Sequence, residues 1–374
     1  MRTLTTLMAV SLLLAAAGAY AVQYNVGPAQ PYTSIGAVPW ESLGPGDIVR
    51  IHWRATPYAE KILICTGGTV ADPIIVEGVP DGSGNRPIIT GNGATTRAAL
   101  DYYGCERSLI MLGDRTTARD GGNNPIAFTD GKLIKNIIIR GLELRSAHPA
   151  YSFTDYAGDT VPCYNDNASA VFVEYGVNIT IRDCVVTDCA NGLFTAYQSK
   201  NVLIESNCVY GNGSVGNIFV HNIYTESQGI VFQYNRLGAL RAGANGNNLK
   251  DRSIGTVVRY NWIEGGNRQL DLTNVDDPGY TADHYDLYVN HPDYFTAFVY
   301  GNILIEPAGD GNAQICHFGG DAGGLGSYKT QLYFYQNTVI SKRTDYTSWF
   351  MLSTNDQYCD CRNNIRFPDP CGVD

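Results

Sequence analysis

Short stretches of alternating aliphatic and polar residues recur along this chain, and each closes on a turn residue of similar kind. They read Asn201-Val-Leu-Ile-Glu-Ser-Asn207, Gly229-Ile-Val-Phe-Gln-Tyr-Asn235, Thr256-Val-Val-Arg-Tyr-Asn261, Ala297-Phe-Val-Tyr-Gly-Asn302 and Gln331-Leu-Tyr-Phe-Tyr-Gln-Asn337. Earlier copies end on Asp183 and Gly141. Alternation with period two predicts strands with one face buried. A second short apolar strand follows each turn. The steps between turns are roughly 25 residues, with longer ones where loops are inserted, a spacing that signals stacked coils. The expected fold is all-β: a single-stranded right-handed parallel β-helix, a solenoid with an N-terminal cap and loop excursions. Asn suits the turns because it tolerates the left-handed conformation and can hydrogen-bond along the axis. A β-sandwich has no reason to repeat a turn Asn at near-constant spacing.

The pattern divides the chain. Residues 1–21 read as a signal peptide: Arg2, an apolar run from Leu4 to Ala17, then Ala19-Tyr20-Ala21 as a cleavage site. Residues 22–374 form the β-helix domain. Gln23 to Ile64 supply the cap and first coil, with Gly44-Pro-Gly-Asp47 as a turn feeding a strand. Excursions are expected near 91–124 and 274–293. A Cys-rich segment, 359–374, would cap the far end. The expected location is outside the cell or on its surface, the periplasm included, with no membrane span.

Composition narrows the partners. Charged residues make up 17% of the 374, and there are 41 Gly, as suits a turn-rich β protein. The formal charge of −10 excludes nucleic acid as a natural partner, because no basic field is present. A polyanion could bind only where the basic residues gather. The ten Cys show no zinc spacing, so we read them as structural, disulfide-bonded or buried.

Aligning coils by their turn Asn brings His221-Asn-Ile-Tyr-Thr-Glu-Ser227 into register with Asn247-Asn-Leu-Lys-Asp-Arg-Ser253 and Arg268-Gln-Leu-Asp-Leu-Thr-Asn274. Strand alternation then stacks Ile223, Leu249 and Leu270 inward. Three outward columns follow: Asn222, Asn248 and Gln269; Tyr224, Lys250 and Asp271; Glu226, Arg252 and Thr273. Neighbours in a column are about 4.8 Å apart. His221, Asn247 and Arg268 mark one edge, and the 274–293 excursion is expected to leave that edge and wall a groove with His284. A purely structural alternative pairs Lys250 with Asp271 and Glu226 with Arg252 across strands.

With these residues in place, the chain resembles the pectate-lyase-like β-helix superfamily and, more narrowly, polysaccharide lyases of the chondroitinase B and alginate lyase type. The order Lys250, Arg259-Tyr260-Asn261, Arg268 carries the narrower resemblance. It implies Lys250 as base and Arg268 as its acid partner. The stretch that holds acidic calcium ligands in that family reads Gly243-Ala-Asn-Gly-Asn247 here, so the cofactor is either none or Ca²⁺. The expected activity is β-elimination on a uronate-containing polysaccharide. Lys250 would remove the proton, Arg252, Arg268 or a metal would neutralise the carboxylate, and Tyr224 or His221 would donate a proton. Asn222, Asn248, Glu226, Asp271, Gln269 and His284 would contact the sugar. A noncatalytic carbohydrate-binding β-helix, using its 25 Tyr as stacking surface, and a glycoside hydrolase built on Glu226 and Asp271 are the alternatives.

Overall fold

The computed structural model describes residues 21–102, 104–113, 134–275, 282–309, 311–321 and 327–367. Among them the chain winds into coils that build three long sheets of 11, 9 and 9 strands. Every pairing within these three sheets is parallel. The 11-stranded sheet runs from Gln23–Val26 to Tyr358–Arg362 in chain order. One of the 9-stranded sheets contains Ile223–Thr225, Leu249–Asp251, Leu270–Leu272, Gln314–Phe318 and Ser348–Leu352, side by side. The architecture is the parallel β-helix that the periodicity predicts.

The alternating residues fill the bore. Ile139, Ile181, Ile204, Phe232, Val258, Val299 and Phe334 stack in register through seven coils, all fully buried. A branched or aromatic side chain on each coil touches its equivalents above and below, which gives a continuous core without a second layer.

The turn Asn form the expected ladder. Asn207, Asn235, Asn261, Asn302 and Asn337 are buried. The Nδ2 of each donates to the Oδ1 of the next at 2.9–3.2 Å, and Asn364 ends the series. Each Oδ1 from Asn235 onward also accepts the backbone N–H of the preceding rung. The Asp183 copy is displaced by one position: Arg182 pairs with Glu205, so Cys184 matches Asn207, and its backbone N–H donates to the Asn207 side chain.

The excursions differ from expectation in detail. Within 91–124, Ala94–Thr95 joins Phe153–Thr154 and Thr160–Val161 in a small separate sheet. Residues 114–124 lie outside the described part. The second excursion contains a helix, Ala282–Val289, anchored by Tyr288 and Tyr294 against Ile254 and Val275. Its connection leaves the strand ends that carry Glu226 and Arg252, opposite the edge marked by His221, Asn247 and Arg268. Cys359 and Cys361 sit in the strand Tyr358–Arg362, so this stretch continues the solenoid. No disulfide joins any two of the described Cys, and Cys371 lies outside the described residues.

Outward aromatic residues on the 11-stranded sheet stack on one another. Tyr300 and Tyr335 lie 5.0 Å apart at 3°, and Phe298 and Tyr333 lie 5.0 Å apart at 8°. Each of these four rings packs one face on its neighbour in the next coil. No helix among the described residues is long and apolar enough to cross a membrane.

Candidate functional site

The register inferred from the turn Asn holds. Ile223, Leu249 and Leu270 pair as predicted, as do Tyr224, Lys250 and Asp271. The column extends one coil further than expected, to His317, and then to Met351. A parallel sheet thus brings Tyr, Lys, Asp and His into one row, although 93 residues separate the first from the last.

Lys250 lies at the centre, with its side chain 8% exposed. Its Nζ donates to Asp271 Oδ2 at 2.7 Å and to Asp321 Oδ2 at 2.5 Å. Arg252 Nη1 reaches the other Asp321 oxygen at 2.9 Å and also donates to the Asn274 carbonyl at 2.7 Å. Its Nε donates to the Tyr224 hydroxyl oxygen at 3.1 Å. Asp271 is almost fully enclosed: Oδ2 also accepts from Asn247 Nδ2 at 2.6 Å, and Oδ1 lies 2.7 Å from His317 Nδ1. Burial alone would push the Asp271 carboxyl up, but the Lys250 charge and the His317 hydrogen bond hold it well below the usual carboxylate range. Burial raises Asp321 too, and there Lys250 and Arg252 outweigh it and lower it.

His221 is buried at the edge. Burial, aided by the Lys250 charge, pushes its imidazole down to about 3, so it is neutral. Its Nδ1 accepts the Asn247 backbone N–H at 2.9 Å, which leaves the ring proton on Nε2. The ring stands edge-on to Tyr224 at 5.3 Å.

Two buried amides are half satisfied. Asn247 Oδ1 and Asn274 Nδ2 have no hydrogen-bond partner among the described residues. The other polar atom of each side chain touches the cluster: Asn247 Nδ2 meets Asp271, and Asn274 Oδ1 accepts the Asp321 backbone N–H at 3.1 Å. Each side chain thus leaves one buried polar atom unpaired beside the charged cluster.

The outermost predicted column is corrected. Asn222, Asn248 and Gln269 are fully buried and face the interior. Asn222 Nδ2 donates to Asn248 Oδ1 at 3.0 Å, Asn248 Nδ2 to the Glu264 carbonyl at 2.9 Å, and Gln269 Nε2 to Glu306 at 2.8 Å. They stand at the corner just before their strands, where alternation no longer sets direction. There they pair otherwise unpaired backbone and side-chain groups, and they cannot contact a sugar. Glu226 is largely buried beside Arg252's strand. Arg268 is half-buried and away from the cluster: its Nε donates to Gln314 Oε1 at 2.9 Å, and it forms no ion pair among the described residues. His284 falls on the helix, with its side chain outside the described part.

His317 and Asp321 were not expected at the site. His317 could have been found by carrying the alignment one coil onward to Gln314-Ile-Cys-His-Phe318. Asp321 follows a Gly-Gly pair, where no periodicity applies. Among the described residues, no three His, Cys, Asp or Glu come together as metal ligands.

With the coils and the site in view, the fold defines a right-handed parallel β-helix. The family model for a right handed beta helix region matches residues 150–280. No curated protein matches the sequence. Among solved structures, the chain is similar to an alginate lyase from Paenibacillus sp. str. FPU-7, with 14% identity, a TM-score of 0.54, and 89% and 92% of the two chains covered. It is also similar to the pectin methylesterase PemA from Erwinia chrysanthemi, with 11% identity, a TM-score of 0.47, and 91% and 93% covered. A GH136 lacto-N-biosidase from Eubacterium ramulus shows 13% identity and a TM-score of 0.44, with 92% and 68% covered. The likeness to the alginate lyase agrees with the fold and speaks to the fold alone.

Proposed function

We propose that this chain is a secreted enzyme that cleaves a uronate-containing polysaccharide by β-elimination. One observation carries the reading: Lys250 and Arg252 together seat a carboxylate. In the free protein that carboxylate belongs to Asp321, which is bound through both oxygens by the two cations. The Asp321 side chain is 31% exposed against 7–8% for its partners, so it is the member that an incoming group can displace. A uronate carboxylate has the same charge and shape.

The chemistry follows from the seat. Neutralising the carboxylate makes the proton on the adjacent carbon removable. Tyr224 lies beside the seat with Arg252 Nε on its oxygen, an arrangement that stabilises negative charge there. We assign proton removal to Tyr224 acting as the phenolate, whose oxygen takes up the proton and becomes the hydroxyl. The double bond forms as the C–O bond to the next sugar breaks, and the Tyr224 hydroxyl returns the proton to the departing oxygen. Lys250 donates to two carboxylates, so its role is charge neutralisation rather than proton removal. The signal-like N-terminus supports secretion.

The test is an ultraviolet assay for unsaturated uronate ends on pectate, alginate and glycosaminoglycans, with and without calcium. A rise on one substrate that is lost in Lys250→Ala supports the proposal. Reducing ends without unsaturation would replace it with a hydrolase, and no product at all with a binding protein.

A further inference from the structure

The outward column carries a second constellation that the elimination does not use. His317 Nδ1 lies 2.7 Å from Asp271 Oδ1, and His317 Nε2 lies 3.0 Å from Ser353 Oγ. Asp271 and His317 are paired in register on adjacent coils, and Ser353 follows the next strand, two residues past Met351. We propose that Ser353, His317 and Asp271 form a nucleophilic array that hydrolyses a carboxylic ester carried by a carbohydrate, either an O-acyl group or an ester of a uronate.

Each partner is oriented for that role. Asp271 is 2% exposed, and its Oδ2 is taken by Lys250 and Asn247. Its Oδ1 is therefore committed to His317, which places a ring proton on Nδ1 and leaves the Nε2 lone pair facing the serine. The Ser353 hydroxyl has other neighbours. It accepts the Gly320 N–H at 2.9 Å and faces the carbonyls of Gly320 at 2.7 Å and Phe318 at 3.2 Å. One hydroxyl proton thus has three acceptors, and only Nε2 is a base. A serine needed solely to hold the Phe318–Gly320 turn has its partners in that backbone. An imidazole backed by a buried carboxylate adds nothing to the turn.

The reaction balances within the array. Ser353 Oγ bonds to the ester carbonyl carbon while its proton passes to His317 Nε2. The C–O bond to the alcohol breaks, and Nε2 returns the proton to the departing oxygen. Water, deprotonated by the same nitrogen, then cleaves the acyl-serine and restores the hydroxyl.

The test combines labelling with product release on the full chain. Purified protein is treated with a fluorophosphonate and the modified residue is located by mass spectrometry. Acetate release from an acetylated polysaccharide and methanol release from a methyl-esterified one distinguish the two ester sources. The expected result is phosphonylation of Ser353, with release of one product. Release should fall about a thousandfold in Ser353→Ala and His317→Gln. No labelling of Ser353 in the folded wild-type protein overturns the proposal, as does labelling without release, or release that persists in Ser353→Ala. Labelling of the wild-type protein is independent of whether the variants fold.

Discussion

Asp321 sets its carboxylate 2.5 Å from Lys250 Nζ, although the two stand 71 positions apart in the chain. The contact fills with an internal group the place that we assign to the substrate. Replacing Asp321 by Asn removes the internal competitor and keeps the side-chain size. Initial rates on the uronate polysaccharide should then show KM lower by roughly fivefold with kcat nearly unchanged, because the binding-competent form is more populated. An unchanged or raised KM would mean that Asp321 does not occupy the carboxylate seat.

Lys250→Arg separates charge from proton transfer. If Lys250 neutralises charge, the arginine should retain about a tenth of the activity or more, while Lys250→Ala loses nearly all of it. Equal loss in both variants, each with an unchanged circular dichroism spectrum, would return the base role to Lys250.

Asp271 ties acid stability to the site. Its folded-state carboxyl is depressed by Lys250 and His317, so its contribution is fully present above the unfolded value of about 4. That contribution is lost as pH falls below about 4 toward the folded value. Asp271→Asn should cost about 3–5 kcal/mol at neutral pH, because it leaves the Lys250 charge buried with one partner fewer. The variant should also show a shallower fall in stability below pH 4. Urea unfolding at several pH values reads both effects.

Two buried lysines act in the opposite pH range. Burial pushes Lys61 down to about 7 and Lys329 down to about 8. Lys61 sits over the rings of Phe153 and Tyr164 at 4.2 and 4.4 Å. In both cases the unfolded chain binds the proton more tightly, so stability should rise as pH climbs from about 7 toward the unfolded value of about 10.4. Lys61→Met should flatten the lower part of that rise, as thermal melts in a pH series would show.

Asn261 tests the ladder. Its Nδ2 donates to the carbonyls of Phe232 and Arg259 and to Asn302, and its Oδ1 accepts two bonds from Asn235. Asn261→Ala would leave several buried groups unpaired, at about 1–3 kcal/mol each. It should therefore destabilise the chain far more than Asn364→Ala at the half-buried end of the series. Equal losses in denaturant unfolding would show that the ladder contributes little.

The sequence carried the coil and its register because both depend on a repeated local pattern. Ile223, Leu249 and Leu270 repeat one apolar position, and a slip of one residue would have turned every side chain to the wrong face. Alternation failed at Asn222, Asn248 and Gln269 because these stand on a corner rather than in a strand. Asp321 was hidden for a related reason: a loop following glycines has no period, and only the folded chain shows that it bends back over Lys250. His317 was legible, since its coil obeys the same alignment, but a His beside a Cys reads as core when taken alone.

The residue just before the buried Asn position has a left-handed backbone on coil after coil. Asp183, Ser206, Tyr234, Tyr260, Gln336 and Asn363 all have φ between 50° and 57°. They range from Asp and Asn to Ser, Gln and Tyr, and all are exposed. The conformation there is imposed by the neighbouring coil geometry and not by the residue's own preference. Each turn of the solenoid therefore offers one outward address whose occupant can change without disturbing the bore. Along the rod these addresses form a display rail at one-coil pitch, on which surface character can be rewritten while the fold keeps its spelling.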